Sequence, residues 1–140
     1  PMREVIRARG HEHVAATHQS TFELTTDDWL TPAGDCIVGV EADRAPADFD
    51  DDFVAACRDP DATITLTLSL DDRDVSQRVR ARGHPDLTFE SDRSAVVRTS
   101  TYVDDRTVAV GADAAAADLD RELVDALAAG ATLTVTLTVE

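Results

Sequence analysis

Hydrophobic and polar positions alternate with a period of two along REVIRARGH (3–11), STFELT (20–25), CIVGVEAD (36–43) and TITLTLSL (63–70). They do so again along VSQRVRARGH (75–84), SAVVRTST (94–101), VAVGAD (108–113) and TLTVTLTVE (132–140). This period predicts half-buried β-strands, apolar on one face and wet on the other. Between the third and fourth stretch of each set the period changes. Phe49, Phe53 and Cys57 recur at i, i+4 and i+8, as do Leu119, Leu123 and Leu127, so each set should contain one amphipathic helix. Pro46 suits the first turn of the first helix and Gly130 the C-cap of the second.

The two sets are copies of each other. RARGH stands at 7–11 and again at 80–84, and residues 37–70 align with 107–139. The offset falls from 73 at RARGH to 70 through the middle and 69 in the last strand, as small deletions in turns produce. The chain therefore carries an internal duplication, with repeat 1 over about 3–70 and repeat 2 over about 75–140. A unit of about 65 residues with one short helix leaves a marginal core, and the connection DDRD (71–74) is only a turn. The expectation is a single domain over 1–140 in the α+β class, mainly β. Two tandem β-β-β-α-β repeats, related by a pseudo-twofold, form one two-sheet sandwich or barrel with two outer helices.

Composition adds a setting. There are 28 acidic residues against 13 basic ones, a formal net charge of -15, and every basic residue is Arg. An Asp-rich, lysine-free, Ala/Val-rich chain is what a halophilic cytosol selects, because a dense carboxylate surface stays hydrated in molar salt. There the Debye length is about 3 Å, so net charge does not exclude an anionic ligand. The N-terminal stretch PMREVIRARG lacks the apolar run of a signal peptide, and no stretch is long enough to cross a membrane, which predicts a cytoplasmic protein without a membrane partner. Cys36 and Cys57 form no CxxC pattern and suggest neither a disulfide framework nor a zinc knuckle.

The candidate chemistry begins with the pentapeptide. On strands, Arg7, Arg9 and His11 share one face, and Arg78, Arg80, Arg82 and His84 share another. If these strands lie near the axis, the rows could frame an anion site; otherwise they are a solvated face whose arginines pair with surface Asp. His11 and His13 form an H-x-H pair that could offer two imidazoles to a metal, with His18, Glu23 or Asp35 as further ligands. The rest of a metal-ligand spacing is lacking, and hydrogen bonding beside Gly10 and Gly83 is the better role for His11 and His84, so no metal is assigned. The acidic run ADFDDDF (47–53) lacks the glycine and terminal Glu of a calcium loop and suits a helix N-terminus.

Comparison of the copies gives a sharper test. A polar residue matched across the repeat has a shared structural job, whereas an unmatched one is freer to have been recruited. Asp35 is matched by Asp105, which suggests a turn carboxylate. His18 faces Ser91, Glu23 faces Val96 and Cys36 faces Arg106, while Arg98 and Arg106 are the unmatched charges of the second copy. A nucleophilic Cys36 would need His18 beside it and a depressed thiol pKa; the commoner fate of a free Cys is burial. Cys57 falls on the core stripe of helix one.

GHEHVAATHQSTFELT, LTPAGDCIVGVEADRA and SDRSAVVRTSTYVDDRTVAVGADAAAADLDRELV resemble the archaeal family known as domain of unknown function 371, nearly end to end. The resemblance implies a small archaeal cytoplasmic protein with a duplicated, mainly-β fold and brings no activity with it. Its matching blocks take in His18, Thr21, Glu23, Thr25, Thr31, Gly34, Asp35, Cys36, Arg98, Ser100, Arg106 and Asp113. Where relatives often carry Lys, this chain has Arg44 or Ala.

The first functional reading is a small anionic ligand, bound or turned over in the cleft between the repeats. His18, Glu23, Asp35 and Cys36 are the catalytic candidates, and Arg98, Ser100, Arg106, His11 and His84 the ligand-binding ones. The second is a homo-oligomeric interaction unit joined through the Thr-rich final strands. The third is an RNA-associated module using the RARGH rows, against which stands an aromatic content of only 4%. Whether the chain is an enzyme, and with what cofactor, the sequence leaves open.

Overall fold

The computed structural model describes residues 2–140. The elements run β1 (Met2–Arg9), β2 (Thr21–Thr25), β3 (Ile37–Gly39), α1 (Asp51–Cys57) and β4 (Thr63–Leu70), then β5 (Ser76–Arg82), β6 (Ser94–Arg98), β7 (Thr107–Ala109), α2 (Arg121–Ala128) and β8 (Thr132–Val139). This is β-β-β-α-β written twice. Each helix is preceded by one 3-10 turn, Pro46–Asp48 and Ala116–Asp118.

The strands make two four-stranded sheets, ordered β1-β8-β4-β5 and β3-β2-β6-β7. Every strand of the first sheet is antiparallel to its neighbour, and its inner positions alternate cleanly: Ile6, Ile64, Leu66, Leu68, Val79, Leu133, Val135 and Leu137 are all buried. In the second sheet β2 and β6 pair antiparallel at the centre, with short parallel partners β3 and β7 outside. Phe22, Leu24, Ala95 and Val97 turn inward there, and Phe53, Cys57, Leu123 and Leu127 of the helices complete the same core.

Because β1 pairs with β8 and β5 with β4, each repeat finishes the sheet of the other. The pseudo-twofold axis can be placed from register alone. In the first sheet Thr67 lies opposite Thr136, its own repeat partner, and in the second Glu23 lies opposite Val96, likewise its own partner. The axis therefore runs through both cross-strand pairs.

RARGH supplies the corners where the sheets meet. Arg9 exchanges two backbone hydrogen bonds with Val40, at 3.0 and 2.8 Å, and Arg82 does the same with Val110, at 2.7 and 3.0 Å, so the two sheets close into a flattened barrel. The glycine that follows passes under the helix of the other repeat. A Cβ on Gly10 would overlap the Leu127 carbonyl, and one on Gly83 the carbonyls of Cys57 and Asp59. The His Nδ1 then accepts the N–H two residues on, His13 for His11 and Asp86 for His84, both at 3.0 Å. Asp43 and Asp113 finish the edges by accepting from the N–H groups of Arg7 and Arg80 at 2.8 and 3.0 Å. Five residues are repeated because one corner is needed twice.

The structure departs from the sequence reading in four places. Phe49 and Leu119 are buried as expected but stand ahead of the helices in extended conformation, because Asp50 and Asp120 take the N-cap positions and begin the helices after them. Pro46 accordingly opens a 3-10 turn rather than α1, whereas Gly130, with φ +91, follows the C-cap of α2. His11 and His13 lie in the turn after β1, not on a strand face. The Thr-rich strands β4 and β8 are the two central strands of their sheet, paired on both sides, so they offer no edge through which copies could join.

Candidate functional site

The outward positions of β2 and β6 are Thr21, Glu23 and Thr25 against Arg98, Val96 and Ser94. Strand alternation puts these side chains on the face away from the core, with Glu23 and Val96 on the axis itself. Cys36 and Arg106 enter from either side in equivalent ways: the Cys36 carbonyl accepts from Glu23 N–H at 2.9 Å, and the Arg106 carbonyl from Val96 N–H at 2.8 Å. One backbone scheme therefore presents four different side chains at the axis.

Three of them, Cys36, Glu23 and Arg106, begin a chain of polar contacts that runs on to Asp104, Arg98 and Thr107. The Cys36 thiol donates weakly to Glu23 Oε1 at 3.7 Å, and the same oxygen lies 3.9 Å from the Arg106 guanidinium. Arg106 meets Asp104 at 3.1 Å, and Asp104 meets Arg98 at 3.0 Å. Thr107 donates its hydroxyl to Asp104 Oδ1 at 3.0 Å and accepts from Arg98 Nε at 2.8 Å. Tyr102 lies under the Arg98 guanidinium, 4.8 Å from centroid to carbon. The Arg98 side chain is 11% exposed and that of Arg106 45%, so Arg98 is sealed into the network while Arg106 reaches solvent.

Electrostatics separates the two ends of this network. Partial burial works to raise the Asp104 pKa, but hydrogen bonds from Arg106 and Thr107 and the charge of Arg98 outweigh it and hold it at about 2. The Cys36 thiol moves the other way. Burial, then the Glu23 carboxylate beside it, push it up to about 11. At neutral pH it is a thiol, which is the reverse of what a nucleophilic cysteine requires.

His18 sits at the end of the turn leading into β2. Its Nδ1 accepts the N–H groups of Ser20 and Thr21 at 3.2 and 3.1 Å, which places the ring proton on Nε2. Ser91 occupies the matching position and its hydroxyl accepts from Arg93 and Ser94 N–H at 3.2 and 3.0 Å. The two residues differ in type and share a job. Asp35 likewise serves through its backbone, its carbonyl accepting from Thr17 and His18 N–H at 3.0 and 3.3 Å, as the Asp105 carbonyl does from Ser91 at 3.0 Å. A carboxylate-mediated turn at Asp35 was expected; the carbonyl makes it.

The axis thus gathers Glu23, Cys36, Arg98 and Arg106, with His18 and Asp35 next to them in the turns. Ser100 lies on the far side of Arg98, its carbonyl accepting from Gly111 N–H at 2.9 Å and its hydroxyl from Tyr102 N–H at 3.3 Å. His11 and His84 belong to the barrel corners and do not join the site. Sequence reasoning missed Asp104 and Thr107, although the repeat test applies to them: Gly34 and Ile37 stand at their positions in the first copy. It also missed Trp29 and the Asp27–Arg93 pair, at 2.6 Å, which has no signature in one repeat because it joins both.

A groove of about 410 Å³ opens beside the axis, lined by Glu23, Ile37, Trp29, Asp27, Arg93 and Arg106 among others. Trp29 is the chain's one Trp and is 56% exposed. A larger concavity of about 660 Å³ lies between α1 and the strand ends of the first sheet. Its lining of Met2, Ala55, Ala56, Ala62 and Val139 offers little chemistry beyond Asp59 and Glu140. Among the described residues no three His, Cys, Asp or Glu side chains converge as a metal site would need, and no helix is long and apolar enough to cross a membrane.

Residues 6–140 match the family described as "Domain of unknown function (DUF371)". The chain belongs to that family. It is also 35% identical over 129 residues to an uncharacterized protein of Methanocaldococcus jannaschii, covering 92% of this chain and 93% of that one. DUF371 membership and this archaeal relative agree with the resemblance drawn from the motifs, and the axial residues all fall inside the matched span.

Proposed function

We propose that this DUF371 protein binds a small organic cation in the groove beside its pseudo-twofold axis, with Glu23 as the recognition group. The observation that carries this is the state of Glu23. Its side chain is 12% exposed, yet its contacts are a thiol at 3.7 Å and a guanidinium at 3.9 Å, both to Oε1. A carboxylate that lines a groove and has only weak protein partners keeps acceptor capacity for a donor from a ligand. Trp29 offers an aromatic face in the same groove.

An anion was the expectation from Arg98 and Arg106. Both guanidinium groups already face Asp104, Arg93 faces Asp27, and Glu23, Asp27, Asp92 and Asp105 all line the groove. An incoming anion would meet more carboxylate than free guanidinium. With Cys36 protonated and His18 Nδ1 committed to backbone N–H groups, the reading is recognition rather than covalent catalysis.

Trp29, the one Trp, makes the test direct. Titration with agmatine in molar KCl should change its emission saturably, and Glu23→Gln should abolish the change. A saturable response to inorganic phosphate with none to agmatine would overturn the reading and restore the anionic one. The lysine-free acidic surface also supports a halophilic cytoplasm as the setting; unfolding on dilution from molar to millimolar KCl, reversed by salt, is the expected behaviour.

A further inference from the structure

Arginine is treated differently in two parts of this molecule. Arg9, Arg44, Arg73, Arg93, Arg98 and Arg106 face carboxylates. Arg58 donates to the Pro85 carbonyl, and Arg121 to the carbonyls of Ala15, Ala16, Ala116 and Leu119. Arg3, Arg7, Arg78, Arg80 and Arg82 remain. Among the described residues none of their guanidinium groups meets a protein partner, although the chain has more than two carboxylates per arginine.

All five stand on one surface, the outward face of the β1-β8-β4-β5 sheet, where each is exposed. Between the two edge strands that carry them run Thr132, Thr134, Thr136 and Thr138 of β8 and Thr63, Thr65, Thr67 and Ser69 of β4. No outward position of the four strands is acidic. Glu4, the single carboxylate within them, points inward, buried against Arg44 at 2.8 Å; just past the strand ends, Asp71 accepts the Thr134 hydroxyl at 2.6 Å and Glu140 borders the floor beside Thr63 and Thr138. A hydroxyl floor is thus bordered by two arginine rows, about 14 Å apart across three strand spacings, with successive arginines of β5 about 7 Å apart. The backbone of the face is also twofold about the axis at Thr67 and Thr136: Arg7 is the repeat partner of Arg80, and Arg9 that of Arg82, although Arg9 pairs with Glu41 while Arg82 stays unpaired.

We infer that this face docks duplex RNA across its minor groove. Unpaired guanidinium groups in a chain with more than two carboxylates per arginine mark a surface kept for a polyanion, whose phosphates they would meet at contact distance, inside the short Debye length of concentrated salt. No aromatic side chain lies on the face, which removes the stacking platform a single strand needs. The minor groove of B-DNA, about 6 Å wide, must be forced open before a four-stranded surface can enter, and of β-structures its major groove admits a two-stranded ribbon. The minor groove of A-form RNA is wide and shallow and displays 2′-hydroxyls, which threonine hydroxyls can meet as donor or acceptor, between two phosphate rows within reach of arginine. The two strands of a duplex are themselves related by a dyad, so a twofold face can treat them alike, as twofold proteins do on palindromic sites.

The test is fluorescence anisotropy with a labelled 20-base-pair RNA duplex, a DNA duplex and an RNA single strand of matched sequence. It is run over a KCl series starting at the lowest concentration at which circular dichroism shows the fold intact. The duplex RNA should bind tightest. Arg78→Gln/Arg80→Gln/Arg82→Gln should weaken it at least tenfold and make the log–log salt slope shallower by about three, one per phosphate contact. Arg80→Gln alone should give about a third of the slope change, and Arg58→Gln, on another surface, no change. Equal binding by the triple variant, no binding by the wild type at any salt that keeps it folded, or tighter binding of DNA or single strand would each overturn the inference. So would a concentration-dependent dimer abolished by the triple variant, since the face would then belong to a second copy of the chain.

Discussion

The two ends of the pseudo-twofold axis are built on the same backbone plan and finished differently. At the outer face of the first sheet the axis passes between Thr67 and Thr136, identical residues; at the second it passes between Glu23 and Val96, a carboxylate and a hydrocarbon. Where symmetry is kept, the surface is broad, open and suited to a partner with a dyad of its own. Where it is lost, Cys36, Glu23, Arg106, Asp104 and Arg98 form a graded network from a protonated thiol to a carboxylate whose pKa is held at about 2. Duplication supplied the frame twice, and divergence between the copies supplied a site once.

This contrast predicts the largest effects at the positions the repeats share. Gly10→Ala and Gly83→Ala each force a methyl group into the helix-end carbonyls that cross beneath them, backbone atoms with nowhere to move. Each should cost about 3 kcal/mol or more, and thermal melts in high KCl should show comparable losses for the two. A loss at one glycine only would mean that the corners are not equivalent.

Arg98 comes next, because it belongs to the diverged end but is sealed there. Arg98→Leu leaves Asp104 with Arg106 and Thr107 alone and should cost about 2 kcal/mol, toward the lower side for a pair that is not fully buried. The pH dependence has a definite sign. Asp104 is held at about 2 against an ordinary 3.8, so its contribution is complete above 3.8 and is lost as pH falls toward 2. Asp104→Asn should remove that part of the acid limb, as read from melting temperatures between pH 5 and pH 2. An unchanged acid limb would show that the network does not hold the ionised form.

Much of this was legible in the sequence, for reasons that particular residues show. Period-two alternation is a direct image of a sheet with one wet face, so all eight strands and their repeat order could be read from it. Comparison of the copies singled out Glu23, Cys36, Arg98 and Arg106, because a shared backbone turns any mismatch in side-chain chemistry into a signal. The helix starts were less clear. Phe49 and Leu119 keep the i, i+4 spacing while standing outside the helices, so the apolar stripe runs one residue past the N-cap. Trp29 and the Asp27–Arg93 pair could not be read at all, since they depend on loops of different repeats meeting in space. The fate of the histidines was equally hidden: their Nδ1 atoms accept from backbone N–H groups, a role that residue type and spacing do not reveal.

His18 therefore offers a test of where symmetry ends. If His18 and Ser91 do one job, His18→Ala and Ser91→Ala should each cost about 1 kcal/mol, the usual loss for a side chain that caps a turn. Neither should alter the Trp29 response to agmatine. A His18 variant that keeps its stability and loses the response would move His18 into the binding site.

The smallest effect on stability, and the most informative, is expected at Glu23. Glu23→Val restores symmetry at the axis by writing the second copy's residue into the first, against Val96 in the cross-strand register. A mostly buried carboxylate with two weak contacts adds little to the fold, and exchanging a buried charge for a hydrocarbon of fitting shape is often neutral or favourable. Arg106 keeps Asp104 as its partner in the variant, so no unpaired guanidinium is left behind. Stability should be unchanged or higher by up to about 1 kcal/mol, while the agmatine response disappears. That combination would mean that Glu23 is retained for what it binds. If instead the variant melted well below the wild type, Glu23 would be a member of the structural network, and the groove beside it would lose its claim to be a site.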